Sequence, residues 1–255
     1  MTPTNAISLE GKVAFVSGAS KGIGVSIADA LSNAGADLAL TARNEAELEQ
    51  TAEAARKVGS RVWTKTAEMA DADDVKSLGE AALAEFGHID ILVNNAGVTI
   101  PQPILETELE NFHTVINVNL LAPLLLTQIF APGMIERKRG KIVNVTSRAA
   151  IRAFQTGSVY SASKAGLQLL TQTMAVEFGP HNVQANSVAP TVTMTPMGDS
   201  AWPPSPRRDV KLSRIPTGRF AEPEEVASAV LFLASSESDF INGVELSIDG
   251  GEGAG

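Results

Sequence analysis

The chain has 255 residues, 44% of them hydrophobic and 19% charged, enough to bury a substantial core whether as one large α/β domain or as two small ones. With 20 lysines and arginines against 29 aspartates and glutamates the formal charge is −9, so nucleic acid is not an expected partner. The absence of cysteine removes disulfides, thiol nucleophiles and cysteine-based metal centres, and the three histidines His88, His113 and His181 lack ligand spacing, so no metal is expected.

Residues 1–6 carry neither the basic nor the apolar region of a secretion signal, and the expected location is cytoplasmic. From there, short β-rich apolar runs at 13–17, 37–41, 61–66, 89–93, 141–146, 183–188 and 244–248 alternate with helical patterns at 22–34, 45–58, 72–86, 109–137, 159–178 and 223–234. Such alternation predicts parallel strands joined by crossover helices. The expected architecture is a single-domain, Rossmann-type doubly wound sheet of about seven strands flanked by helices, covering 1–255. The apolar stretch 120–135 is interrupted by Pro123, Gln128 and Pro132 and reads as a buried helix too short to span a bilayer, so no membrane partner is expected. Between 190 and 223, Pro196, Pro203, Pro204, Pro206 and Pro216 exclude one long helix. The segment 191–222 is long for a connection inside a compact domain, and is expected to lie over the site as a substrate lid.

The first strand runs into Ser17-Gly18-Ala19-Ser20-Lys21-Gly22-Ile23-Gly24 and then a helix. Glycines let backbone approach a ligand closely, and the helix start offers unpaired N–H groups to a pyrophosphate. At the end of the second strand, Leu40-Thr41-Ala42-Arg43-Asn44 has no carboxylate for a ribose 2′-hydroxyl. Arg43 and Lys21 could instead embrace a 2′-phosphate, which favours NADP(H) while leaving NAD(H) possible.

Tyr160 and Lys164 stand four residues apart on one predicted helix face, and Ser147 precedes the tyrosine at a strand end. An ammonium beside a phenol favours the phenolate, so the pair can act as a proton-transfer device. Alone, the spacing is also that of any amphipathic helix. Substrate-facing candidates are Ser147, Arg148, Arg152, Phe154 and Trp202; the two arginines could clamp an anionic group or pair with carboxylates elsewhere.

Together these runs resemble the short-chain dehydrogenase/reductase family over nearly the whole chain. Ser17 to Gly24 is similar to its cofactor loop, with serine where threonine is usual, and Asn94-Asn95-Ala96-Gly97 resembles its second signature. Asn119, Ser147, Tyr160 and Lys164 match its catalytic positions. The resemblance implies hydride exchange between a nicotinamide and a carbinol carbon, with Tyr160 as acid and base, Lys164 lowering its pKa and binding the nicotinamide ribose, Ser147 orienting the carbonyl and Asn119 supporting a proton path. It also implies a cofactor contact set of Gly18, Ser20, Lys21, Gly22, Ile23, Gly24, Arg43, Glu68, Met69, Asn95, Ala96, Gly97, Tyr160, Lys164, Pro190, Thr191, Val192 and Thr195. Glu68 stands where the family usually has aspartate, and Thr191 where glycine is common. Pro190-Thr191 with Met197-Gly198 and Trp202 resembles the carbonyl and L-xylulose reductase branch, implying a ketose, dicarbonyl or polyol substrate and a homotetramer or homodimer. A 3-oxoacyl-carrier-protein reductase and a non-catalytic NADP(H)-sensing scaffold are the alternatives.

Overall fold

The computed structural model describes residues 7–254, so the reading of residues 1–6 lies outside the described residues. Seven strands, β1 (Val13–Ser17), β2 (Asp37–Ala42), β3 (Val62–Thr66), β4 (Ile91–Asn94), β5 (Gly140–Val145), β6 (Val183–Pro190) and β7 (Glu245–Ile248), form one sheet in the order β3-β2-β1-β4-β5-β6-β7. Every neighbouring pair is parallel. The chain winds outward in opposite directions from β1 and β4, and the connections leaving their carboxyl ends diverge to open a crevice there. Strands β1, β4, β5 and β6 are buried along their whole length, which explains why they read as apolar runs rather than alternating patterns.

Both faces of the sheet are covered. Alternate residues of β1 feed two cores, Ala14 and Val16 one, Val13 and Phe15 the other. The first core packs against α1 (Ile23–Asn33), α2 (Glu45–Lys57) and α9 (Pro223–Ala234), through Ile27, Leu31, Leu48, Val230 and Leu233. The second takes Leu78 of α3 (Ala72–Phe86), Leu126 and Phe130 of α5 (Ala122–Glu136) and Met174 of α6 (Ser158–Phe178), with the rings of Phe15 and Phe130 5.1 Å apart. Local chemistry fixes the helix ends. Asn44 caps α2 by accepting from the Glu47 N–H, Asp71 caps α3, and Gly87 ends α3 in the left-handed region at φ 76°.

Two stretches depart from the sequence reading. The predicted helix 109–137 is helical throughout but not uniform: α4 (Leu109–Ile116) passes into a five-residue π-turn, Asn117–Leu121, before α5 begins. The run Leu109–Glu136 is also long and apolar enough to meet the length of a membrane span, which the apolar stretch 120–135 understates; half of its most apolar window is buried inside the protein, where Leu126, Phe130 and Met134 belong to the core. In the proline-rich segment the prolines start short helices as well as excluding a long one. Pro196 opens α7 (Pro196–Ala201) behind the cap Thr195, and Pro206 opens α8 (Pro206–Leu212) behind the cap Ser205.

Candidate active site

At the carboxyl end of β1 the chain turns at Gly18, φ 70°, and four hydrogen bonds lock that turn. The Ser17 hydroxyl accepts the N–H groups of Asn95 and Ala96 at 3.1 Å each, and the Asn95 side chain donates to the carbonyls of Ser17 and Gly18. A Cβ on Gly18 would stand 2.9 Å from Ala96 Cα, and one on Gly22 2.9 Å from the Thr195 side chain. So the loop, the Asn94 signature and the start of α7 meet closely. Helix α1 begins without a side-chain cap and without an acidic residue in its first turn, so its N–H groups remain available to an anion. These features fit a dinucleotide pyrophosphate. Further along the crevice, Lys21 pairs with Glu47 at 2.8 Å, and Arg43 lies 3.7 Å from Glu68, whose other oxygen accepts the Ala70 N–H. Both cations are largely exposed, so these pairs are weak enough to yield to a phosphate.

The candidate proton-handling groups converge near β5. Ser147 follows the strand, accepts the Ala149 N–H at 3.1 Å and stands beside Tyr160 of the first turn of α6, close enough to oppose the rise of its pKa. Lys164, one turn later and 3% exposed, donates to the Val145 carbonyl at 2.8 Å, its ammonium 5.9 Å from the Tyr160 ring centre. Asn119 sits fully buried at the centre of the π-turn, accepting from Val98 N–H at 2.9 Å and donating to the Val98 carbonyl and Ser163 hydroxyl. π-turns interrupt the regular ladder and recur at functional sites. Gly97 marks where the groups meet: a Cβ there would lie 3.3 Å from Lys164 Nζ and 3.5 Å from Asn119 Oδ1.

Burial controls the titration of this centre. It raises the Tyr160 phenol above its ordinary value, with the Ser147 hydrogen bond opposing, so the expected lowering by Lys164 is not the leading influence. A raised phenol keeps its proton at neutral pH, the state needed to donate to a carbonyl oxygen. Burial also lowers Lys164 from 10.5 to about 8. Between those values the unfolded chain holds a proton the folded chain has released, so stability rises with pH there, by up to about 1.4 kcal/mol per unit. Chemical unfolding of the protein and its Lys164→Met variant across this window is expected to show the parent gaining on the variant. A pH-independent difference would contradict the depressed lysine.

Nearly every candidate residue lines one cleft of about 920 Å³; Gly24 and Asn119 stand behind its wall. Glu68 and Met69 lie toward the Arg43 end. Pro190 ends β6, and Thr191, Val192 and Thr195 follow it along the cleft. Phe154 meets the Tyr160 ring edge-on at 6.3 Å, and Trp202 carries Arg207 over its face at 4.4 Å. Arg148 turns away toward the sheet edge, with Nε 2.9 Å from Asp249 Oδ2 and a hydrogen bond to Ser247. Arg152 lies 3.8 Å from Glu252. Glu252 and Lys211 also line the cleft and were not singled out from the sequence, where neither belongs to a motif.

A family model described as enoyl-(acyl carrier protein) reductase matches residues 18–252, from the glycine turn through Glu252. The chain belongs to the short-chain dehydrogenase/reductase family. It is 43% identical to L-xylulose reductase of Mesocricetus auratus, over 96% of this chain and 98% of that protein. It is 42% identical to D-threitol dehydrogenase of Mycolicibacterium smegmatis, over 95% and 93% of the two chains. A gluconate 5-dehydrogenase from Burkholderia cenocepacia, solved with NADP and tartrate, superposes with a TM-score of 0.91 at 33% identity, over 97% of each chain. The short-chain dehydrogenase/reductase described here is accordingly an oxidoreductase built on a single seven-stranded parallel sheet.

Proposed function

We propose that the enzyme uses NADP(H) to interconvert a sugar-derived ketone, either a ketose or a dicarbonyl, and its secondary alcohol. The observation that carries this reading is the convergence of Ser147, Tyr160, Lys164 and Asn119 beside a glycine cradle with two cations and no acidic cap. The named activities of two relatives, a pentulose reductase and a tetritol dehydrogenase, support the substrate class. When bound, the nicotinamide supplies or accepts the hydride. Ser147 holds the reacting oxygen, and Tyr160 gives it a proton in reduction or removes one in oxidation. Lys164, anchored on Val145, holds the ribose and shares the proton route with Asn119. The segment carrying Trp202 and α8 closes the substrate end as a lid. Leu169 and Val176, 65% and 77% exposed and seven residues apart on α6, suit burial in a homodimer or homotetramer, and the assembly is cytoplasmic.

The test is NADPH consumption against neutral ketoses, dicarbonyls and an acetoacetyl thioester, run with the parent and with Arg43→Ala. A ketose or dicarbonyl is expected to be the preferred substrate. A charged hydrogen bond contributes about 1.5–3 kcal/mol, so Arg43→Ala is expected to cut kcat/KM for NADPH roughly 10- to 100-fold and leave that for NADH nearly unchanged. Preference for the thioester, or equal losses with both nucleotides, would count against the substrate or the cofactor assignment respectively.

A further inference from the structure

The residues after β7 return to the substrate end of the cleft and carry there a carboxylate that three distant parts of the chain converge upon. Glu252 is 5% exposed. The Thr191 hydroxyl, just past β6, donates to Oε2 at 2.6 Å. Lys211 of α8 reaches Oε1 at 2.5 Å, and Arg152, beyond Ser147, lies 3.8 Å from the same oxygen. Lys211 also stands 5.9 Å from the Trp202 ring centre. All five side chains line the cleft that holds Ser147 and Tyr160.

A carboxylate this buried is costly unless paired. Burial pushes the Glu252 carboxyl up, but hydrogen bonds from Lys211 and Thr191 and the charges of Lys211 and Arg152 outweigh it and hold the group below its ordinary value. It is therefore ionised at neutral pH. Its charge is spent directly on Lys211, a sheltered cation of the substrate end, and at longer range on the half-exposed Arg152, while Asp249 does the same for the sheltered Arg148. Arg207 and Arg214 also line the cleft and, like Arg152, are exposed, so water and salt screen them, and neither lies on Glu252 as Arg152 does. A carboxylate on an incoming substrate would find the sheltered cations Lys211 and Arg148 engaged and a like charge beside them. A hydroxyl would find Glu252 as acceptor and Lys211 as donor.

We infer that Glu252 is a specificity-determining residue, masking Lys211 and Arg152 so that the cleft takes neutral polyhydroxylated carbonyls and rejects carboxylate-bearing analogues. This rests on the sugar-ketone reading above and decides within it. Both chemistries occur among similar proteins, neutral in the xylulose and threitol enzymes and anionic in the gluconate enzyme.

The experiment compares kcat/KM for a neutral ketopentose and a keto-aldonate with NADPH, in the parent, Glu252→Gln and Lys211→Met. The parent is expected to favour the neutral ketose. Glu252→Gln unmasks the two cations and is expected to shift the ratio toward the keto-aldonate by about tenfold or more, equivalent to about 1.4 kcal/mol. Lys211→Met removes a cation while leaving the carboxylate, and should move the ratio the opposite way. It also provides the reading if the glutamine variant does not fold. In parallel, calorimetric titration of tartrate into the NADP-loaded protein should show binding strengthened at least about tenfold by Glu252→Gln. That arm holds even if no sugar ketone is turned over, a result that would sink the proposed substrate class alone. An unchanged ratio and unchanged tartrate affinity in both variants, or equal losses for both substrates, would overturn the masking role.

Discussion

Tyr160→Phe is expected to lower kcat at least about 10³-fold while leaving the dissociation constant of NADPH nearly unchanged. The variant keeps the ring that meets Phe154 edge-on and that faces the Lys164 ammonium, so packing around the site is conserved. What disappears is the hydroxyl beside Ser147, the group proposed to donate the proton. No other group near Ser147 is placed to replace it: Lys164 is committed to the Val145 carbonyl, and Asn119 to Val98 and Ser163. Stopped-flow hydride transfer alongside a fluorescence titration of NADPH separates the two quantities. Turnover within tenfold of the parent would remove Tyr160 from the proposed role. Parallel loss of NADPH binding would instead mark it as structural.

The fold was legible in the sequence because its signals are local. Strands β1 to β7 announce themselves as apolar runs bounded by glycine or polar residues, and most ends fall within a residue or two of the prediction. Helices α2 and α3 carry their own caps, Asn44 and Asp71, in the residue just before the periodic pattern. The π-turn at Asn117–Leu121 had no such sign, because inserting one residue into a helical ladder leaves an apolar run looking like helix. Helices α7 and α8 were hidden by prolines, which were read as breakers although Pro196 and Pro206 occupy first-turn positions where the missing N–H costs nothing.

The site divides in the same way. The glycine loop and the Tyr160–Lys164 spacing are short-range patterns with a mechanism attached. The environment that sets their titration is not, since burial of Tyr160 depends on segments far away in sequence and reverses the direction expected from the nearby lysine. The ionic cluster at the substrate end is still less visible. Thr191 and Lys211 stand 61 and 41 residues from Glu252, and no spacing rule links groups that only the return of the chain beyond β7 brings together. The arginine beside Ser147 shows the cost of reading neighbours alone: Arg148 is adjacent in sequence to a candidate substrate-facing hydroxyl, yet its hydrogen bond goes to Ser247, 99 residues on.

Gly24→Ala is expected to weaken NADPH binding about 10²-fold, by geometry rather than by lost chemistry. Gly24 has an ordinary helical backbone, so an alanine there meets no conformational penalty and on propensity alone would favour α1. The added methyl has nowhere to go. It would collide with the Gly18 carbonyl oxygen and stand 2.7 Å from Asn95 Nδ2, the group that donates to that same carbonyl. Relief requires the turn after β1 to open, and the turn is tied through Ser17 to the N–H groups of Asn95 and Ala96. The cradle therefore shifts while Ser147, Tyr160 and Lys164, positioned by β5 and α6, stay where they are. Saturating NADPH should accordingly restore much of kcat, with the loss expressed in KM for the nucleotide. If instead kcat fell and KM for NADPH held, Gly24 would be supporting the catalytic centre, and the assignment of this loop as the pyrophosphate cradle would fail.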